Sequence, residues 1–201
     1  MDCEGVAAAL LGELALDDCV LDPRVIAIAC GLRLRPSPHE PACLVGMEIV
    51  YNPRERPTRQ AGTIAHELGH FALRRYGEDD DEQAATRVGA ALLVPRRPLD
   101  AALRRLGWDL PELRGTFSHA SHELIARRVL ELREGGLIVR DSRRERLITS
   151  GFLRDHDERD LRAAARAASE SGHSAQIGDA RAWAVVEPGF SRALALVPAA
   201  D

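Results

Sequence analysis

Residues 59–76 read Arg-Gln-Ala-Gly-Thr-Ile-Ala-His-Glu-Leu-Gly-His-Phe-Ala-Leu-Arg-Arg-Tyr. Ile64, Leu68, Phe71 and Ala72 recur at helical spacing and Gly77 follows as a stop, which predicts the clearest helix in the chain. Within it, residues 66–70 spell His-Glu-Leu-Gly-His. Positions i and i+4 share one face of a helix, about 6 Å apart, so His66 and His70 can converge on one ion. Neutral imidazole nitrogens suit zinc, which takes nitrogen ligands at about 2.0 to 2.1 Å. Glu67 stands one step round the helix. It is too displaced to be a third ligand from the same turn, but well placed to take a proton from a water that the metal activates. A surface helix with two solvated histidines is the plainer alternative. Leu68, Phe71 and Ala72 weigh against it, because they bracket the motif with residues of the buried type.

A catalytic zinc takes three protein ligands and keeps one position open, so a third ligand is required. The acids Glu78 to Glu82 precede an apolar-periodic segment through Ala85, Val88, Leu92 and Leu93 to Pro95. Acids at that place fit a helix N-terminus, where the dipole favours negative charge. Helices joined by a short loop pack antiparallel, which returns the start of this second helix toward His70. Glu82 is in register with Ala85, Gly89 and Leu92, and the small residues Ala85 and Gly89 permit close approach of the two backbones. Glu82 is therefore the expected third ligand. Asp79, Asp80 and Asp81 compete, Asp81 the strongest of them but one residue off the small-residue stripe.

Outward from this helix pair, Val6 to Leu16 predicts a first helix, and Pro23 opens a short one over Val25 to Cys30. Leu32 to His39 holds Pro36 and Pro38 and predicts no long regular element. Ala42 to Asn52 predicts a hairpin, or a strand with a bulge at Gly46. After Pro95, helices are predicted over Leu99 to Leu106, from Asp109 and Pro111, and over Ser121 to Arg133. Leu137 to Arg140 and Leu147 to Thr149 predict short strands, and Asp157 to Ser169 a helix rich in Ala and Arg. Trp183 to Val186 and Ala193 to Val197 predict a hairpin around Pro188-Gly189. Trp108 and Trp183 read as core or interface aromatics.

The 201 residues are 45% hydrophobic and 29% charged, a soluble globular balance. Aromatics are only 4%, so the core must come from Ala, Leu, Val and Ile. A net charge of −4 argues against a general nucleic-acid binder, and Arg143, Arg144 and Arg146 read as a solvated turn. Cys3, Cys19, Cys30 and Cys43 form no C-x-x-C pair, which argues against a sulfur-bound zinc and for reduced core residues in a cytoplasmic protein. No signal peptide is visible, and no apolar run approaches the roughly 20 residues that span a bilayer. His119, His122 and Glu123 make a second metal site conceivable. They read better as the exposed first turn of a helix begun by Ser118 and Ser121.

Thr63 to His70, Thr-Ile-Ala-His-Glu-Leu-Gly-His, resembles the motif helix of ImmA/IrrE-type metallopeptidases. Glu82 to Pro95 resembles that family's second motif, E-x-[EQ]-A-x-x-F-A-x-x-L-L-x-P; aligned on Leu92-Leu93 and Pro95, the family's ligand Glu falls on Glu82. The likeness extends more weakly over residues 20–135. Gly62 stands where the family often has Phe, and Val88-Gly89 where it has Phe-Ala; both change packing and leave the ligands intact. The resemblance implies a cytoplasmic zinc endopeptidase with one Zn2+ per chain and a protein substrate. That substrate would be an XRE-like helix-turn-helix repressor of a stress, phage or mobile-element response. By analogy the strand at Glu48 to Asn52, with Ile49 and Tyr51, is the edge that pairs with an extended substrate.

The expected architecture is α+β: a mainly helical zincin-like core with a small β-sheet over residues 1–107, a helical, helix-turn-helix-like segment over 108–135, and a small α/β module over 136–201. Arg127, Arg128 and Arg133 would suit DNA in the middle segment. Leu124, Ile125, Val129 and Leu132 make an ordinary core stripe there instead, and DNA binding is not the expectation. The alternative function is a non-enzymatic regulator that uses the core as a scaffold for DNA or protein. Such a scaffold has no need of Glu67 beside two ligands.

Overall fold

The computed structural model describes residues 1–16, 19–142, 144–187 and 190–198; Arg143 and the expected turn at Pro188-Gly189 lie outside them. The fold is α+β, in two compact units: Met1–Gly107 with Glu112–Ser121, and Trp108–Pro111 with His122–Asp201. The segment 108–135 is thus shared between the two.

In the first unit, Asp2 caps α1 (Cys3–Glu13) by accepting from the Gly5 amide at 2.7 Å. The helix stops short of Leu16, with Ala15 at φ 56°, while Leu14 and Leu16 still pack on the core. Asp22 caps α2 (Pro23–Ala29), whose proline occupies the first turn, where no N–H is needed. β1 (Arg33–Pro36), β2 (Cys43–Val45) and β3 (Glu48–Tyr51) form a sheet in the order β1-β3-β2. β1 runs parallel to β3 and β2 antiparallel to it. β1 lies in the proline-rich stretch. Pro36 is tolerated because the Ser37 amide makes the bond to the Tyr51 carbonyl, at 2.8 Å, and β1 is an edge. The segment 42–52 is a hairpin turning at Gly46, φ 58°, rather than a bulged strand.

That strand order corrects one expectation. β3 has neighbours on both sides, so it is not the edge that could pair with a substrate. Ile49 is wholly buried in the core, and Tyr51 is half-buried with the Arg24 guanidinium 5.8 Å from its ring centroid. Ile49 therefore offers no surface to a peptide, and Tyr51 only part of one.

α3 (Pro57–Tyr76) begins at a proline and ends at Gly77, left-handed with φ 69°. Asp81 caps α4 (Glu82–Leu93), accepting from the Ala84 amide at 2.7 Å. Where α3 and α4 meet, a Cβ added to Gly69 would lie 2.2 Å from the Ala85 carbonyl oxygen, and one on Gly89 2.6 Å from that of Ala65. Backbone touches backbone, as the pair Ala85 and Gly89 predicts, and Gly69 supplies the matching gap on α3. Val6, Leu10, Ile26, Ile64, Leu68, Val88 and Leu92 fill the core around this crossing. Cys3 and Cys30 pack against it, but Cys19 is exposed, so it is no core residue; all four thiols are free. α5 (Arg96–Leu106) buries Leu99, Ala102 and Leu103, with Pro98 tolerated in its first turn.

α6 (Leu110–Thr116) spans the division between the units. The second unit holds α7 (His122–Leu132), β4 (Gly135–Asp141), β5 (Glu145–Ser150), α8 (Asp155–Ser171), β6 (Ala175–Ile177), β7 (Ala180–Glu187) and β8 (Phe190–Pro198). The strands form one antiparallel sheet, β5-β4-β8-β7-β6. Strand alternation sends Ala180, Ala182, Ala193 and Ala195 to the α8 side, against Leu161, Ala164, Ala165 and Ala168. α7 packs on β4, β5 and β8 through a stripe that includes Ile125 and Val129. Among the described residues, no helix is long and apolar enough to cross a membrane.

Candidate metal centre

α3 carries His66 and His70 one turn apart, and their Nε2 atoms lie 3.2 Å from each other. Glu82 opens α4, with Oε2 at 3.2 Å from His66 Nε2 and Oε1 at 3.6 Å from His70 Nε2. Among the described residues these three form the one His, Cys, Asp or Glu group that could hold a metal ion, with ligand atoms all within 4.8 Å of one another. Tetrahedral bonds of about 2.0 to 2.1 Å place ligand atoms about 3.3 to 3.4 Å apart. The observed separations match that requirement, and two imidazoles with one carboxylate are a donor set that zinc accepts. The Glu82 side chain is 85% exposed, so the donor set faces solvent on the α4 side.

The His70 ring is fixed from behind. Its Nδ1 is 2.5 Å from Asp80 Oδ1, and Asp80 Oδ2 also accepts from Arg74 Nε at 2.5 Å. Burial alone would raise the Asp80 carboxyl, but the hydrogen bonds and charges of His70 and Arg74 outweigh it and hold the group below its ordinary range. An ionised carboxylate can only accept, so the ring proton sits on Nδ1 and the Nε2 lone pair points to the donor set. The sequence offers Asp80 only as a competitor for the ligand role. Its place behind His70 depends on the chain reversal at Gly77, for which no periodic rule exists. Asp81 is engaged as the α4 cap, and Asp79 is exposed.

Glu67 lies beside the donor set and is only 6% exposed. Burial raises its carboxyl above the ordinary glutamate range, with Glu82 adding to the rise. The nearby rings of His66 and His70 and a hydrogen bond from the Leu44 backbone N–H oppose it without cancelling it. Leu44 belongs to β2, an edge of the small sheet. The strand edge that adjoins this site is therefore β2, a neighbour of the segment expected from sequence.

Residues 31–130 match the IrrE N-terminal-like domain, a peptidase family. No curated protein matches the chain. Among solved structures, a Mycobacterium tuberculosis transcriptional regulator is similar with a TM-score of 0.72 and 13% identity, over 96% of this chain and 74% of that one. At that identity the likeness is one of fold. The matched segment contains the small sheet, α3 and α4, and with them His66, Glu67, His70 and Glu82. Through residues 31–130 the chain belongs to the M78 peptidase family of IrrE N-terminal-like domains.

Proposed function

We propose that the chain is a zinc-dependent endopeptidase in which His66, His70 and Glu82 hold one Zn2+ and Glu67 is the general base. The observation that carries this reading is three donors at tetrahedral spacing beside a buried carboxylate. Bound zinc would supply Lewis acidity and lower the pKa of a coordinated water toward about 7. Glu67 takes the proton of the attacking water on its carboxylate and later hands it to the leaving nitrogen. Burial makes that carboxylate a stronger base than an exposed one, and the Leu44 N–H holds it in place. β2, whose Leu44 N–H bonds Glu67, is a sheet edge on which an extended peptide could pair.

The substrate we propose is a protein, an XRE-like helix-turn-helix repressor, and the family likeness supports that class. Four free thiols support a cytoplasmic setting. A second reading, a regulator that binds without cutting, draws on the structural neighbour, a transcriptional regulator. It assigns no work to Glu67, so that residue separates the two. Elemental analysis is expected to find about one zinc per chain, lost in His70→Ala and kept in Glu67→Gln. Cleavage of a co-expressed repressor should fall by roughly 10²- to 10⁴-fold in Glu67→Gln. A Glu67→Gln protein that cuts at the wild-type rate refutes the mechanism.

A further inference from the structure

Thr86 lies one turn into α4 from Glu82, and its hydroxyl makes two contacts. Oγ1 donates to the Glu82 carbonyl at 2.8 Å, the bond to residue i−4 that threonine makes in helices. The same oxygen is 3.2 Å from His66 Nδ1. A hydroxyl has a single proton, and here the carbonyl takes it. Toward the ring Oγ1 can then only accept, so Nδ1 carries the ring proton and Nε2 the lone pair. Nε2 is the atom that lies 3.2 Å from Glu82 Oε2 and 3.2 Å from His70 Nε2.

The geometry points to Thr86 as a positioning residue for His66: one hydroxyl holds the imidazole in the tautomer that can ligate through Nε2 and ties it to the residue bearing the third ligand. The two histidines are thereby held unequally. His70 rests on a charged carboxylate and its side chain is 11% exposed; His66 rests on a neutral, exposed hydroxyl and is 27% exposed. The support for His66 comes from α4, not from the helix that carries it. The contact of α3 with α4 at Gly69 and Gly89 therefore sets two of the three donors at once.

This inference rests on the metal reading for its binding arm alone. Nitrogen-15 spectra of the metal-free protein in alkaline buffer read the His66 tautomer, on a Glu82→Ala background because the ionised Glu82 carboxylate 3.2 Å from Nε2 would otherwise draw the proton to that nitrogen. With Thr86 present on that background the proton is expected on Nδ1. Thr86→Val, which keeps the shape and removes the hydroxyl, should shift it toward Nε2, and Thr86→Ser should restore it. Competition titrations with Zn2+ should show Thr86→Val weaker by about tenfold, the low end for the loss of such a supporting partner, and Thr86→Ser within about twofold of wild type. An unchanged tautomer in Thr86→Val overturns the inference, and so does unchanged zinc affinity where wild type binds zinc. If wild type binds no zinc, the metal reading has failed, and the tautomer alone decides what Thr86 does to His66.

Discussion

A single methyl group placed between α3 and α4 should separate the two halves of the proposed metal site. In Gly69→Ala the new Cβ would stand 2.2 Å from the Ala85 carbonyl oxygen, about 1.2 Å short of ordinary contact at 3.4 Å. Both partners are backbone, so no rotamer change relieves the clash, and the helices must part or slide by roughly that distance. Overpacking costs about 1–3 kcal/mol. Alanine recovers up to about 1 kcal/mol of helix propensity; a clash of backbone on backbone takes the upper end of the overpacking cost, which leaves a net loss of about 2 kcal/mol. Gly62 provides the control. It lies in the same helix with nothing within 4 Å of its would-be Cβ, so Gly62→Ala should gain up to about 1 kcal/mol.

Urea unfolding should therefore place the two variants on opposite sides of wild type. Zinc affinity adds a second reading. Glu82 stands one turn from Ala85, and a displacement of roughly 1 Å exceeds the tolerance of about 0.5 Å that such a site allows. Gly69→Ala should bind Zn2+ at least about tenfold more weakly, while Gly62→Ala binds normally. A Gly69→Ala protein as stable as Gly62→Ala, with wild-type zinc affinity, would refute the claim that this backbone contact positions Glu82.

Asp80→Ala removes the acceptor from His70 Nδ1 and should weaken zinc binding by about 10- to 100-fold, read by competition titration; wild-type affinity would remove Asp80 from the site. In the second unit, Arg154 donates to both carboxylate oxygens of Asp157, at 2.7 and 3.0 Å, and Asp157 is 3% exposed. Those hydrogen bonds first, and the Arg154 charge with them, hold the Asp157 carboxyl below its ordinary range. A depressed folded value means that the stabilisation is complete above the ordinary aspartate range and is lost as pH falls through the lower folded value. Asp157→Asn should cost about 1–3 kcal/mol at neutral pH and flatten the acid limb of the stability profile. An unchanged acid limb would show that Asp157 is not the group titrating.

The helix at 57–76, the His-Glu-Leu-Gly-His face, the acid-led second helix and the small residues Ala85 and Gly89 were all legible from the order of residues, because each rests on a period of 3.6 or on a local cap. Local rules also marked the strands of the second unit, apart from the short β6. Sheet order was not legible: β3 reads as a strand from Ile49, Val50 and Tyr51, but whether it is an edge depends on β1 arriving parallel from a proline-rich stretch. Nor was the support behind the two imidazoles. Asp80 reaches His70 across the reversal at Gly77, and Thr86 reaches His66 from another helix. Periodicity decides which side chains share one surface of one element; only packing between elements decides which atoms of different surfaces come within hydrogen-bond reach.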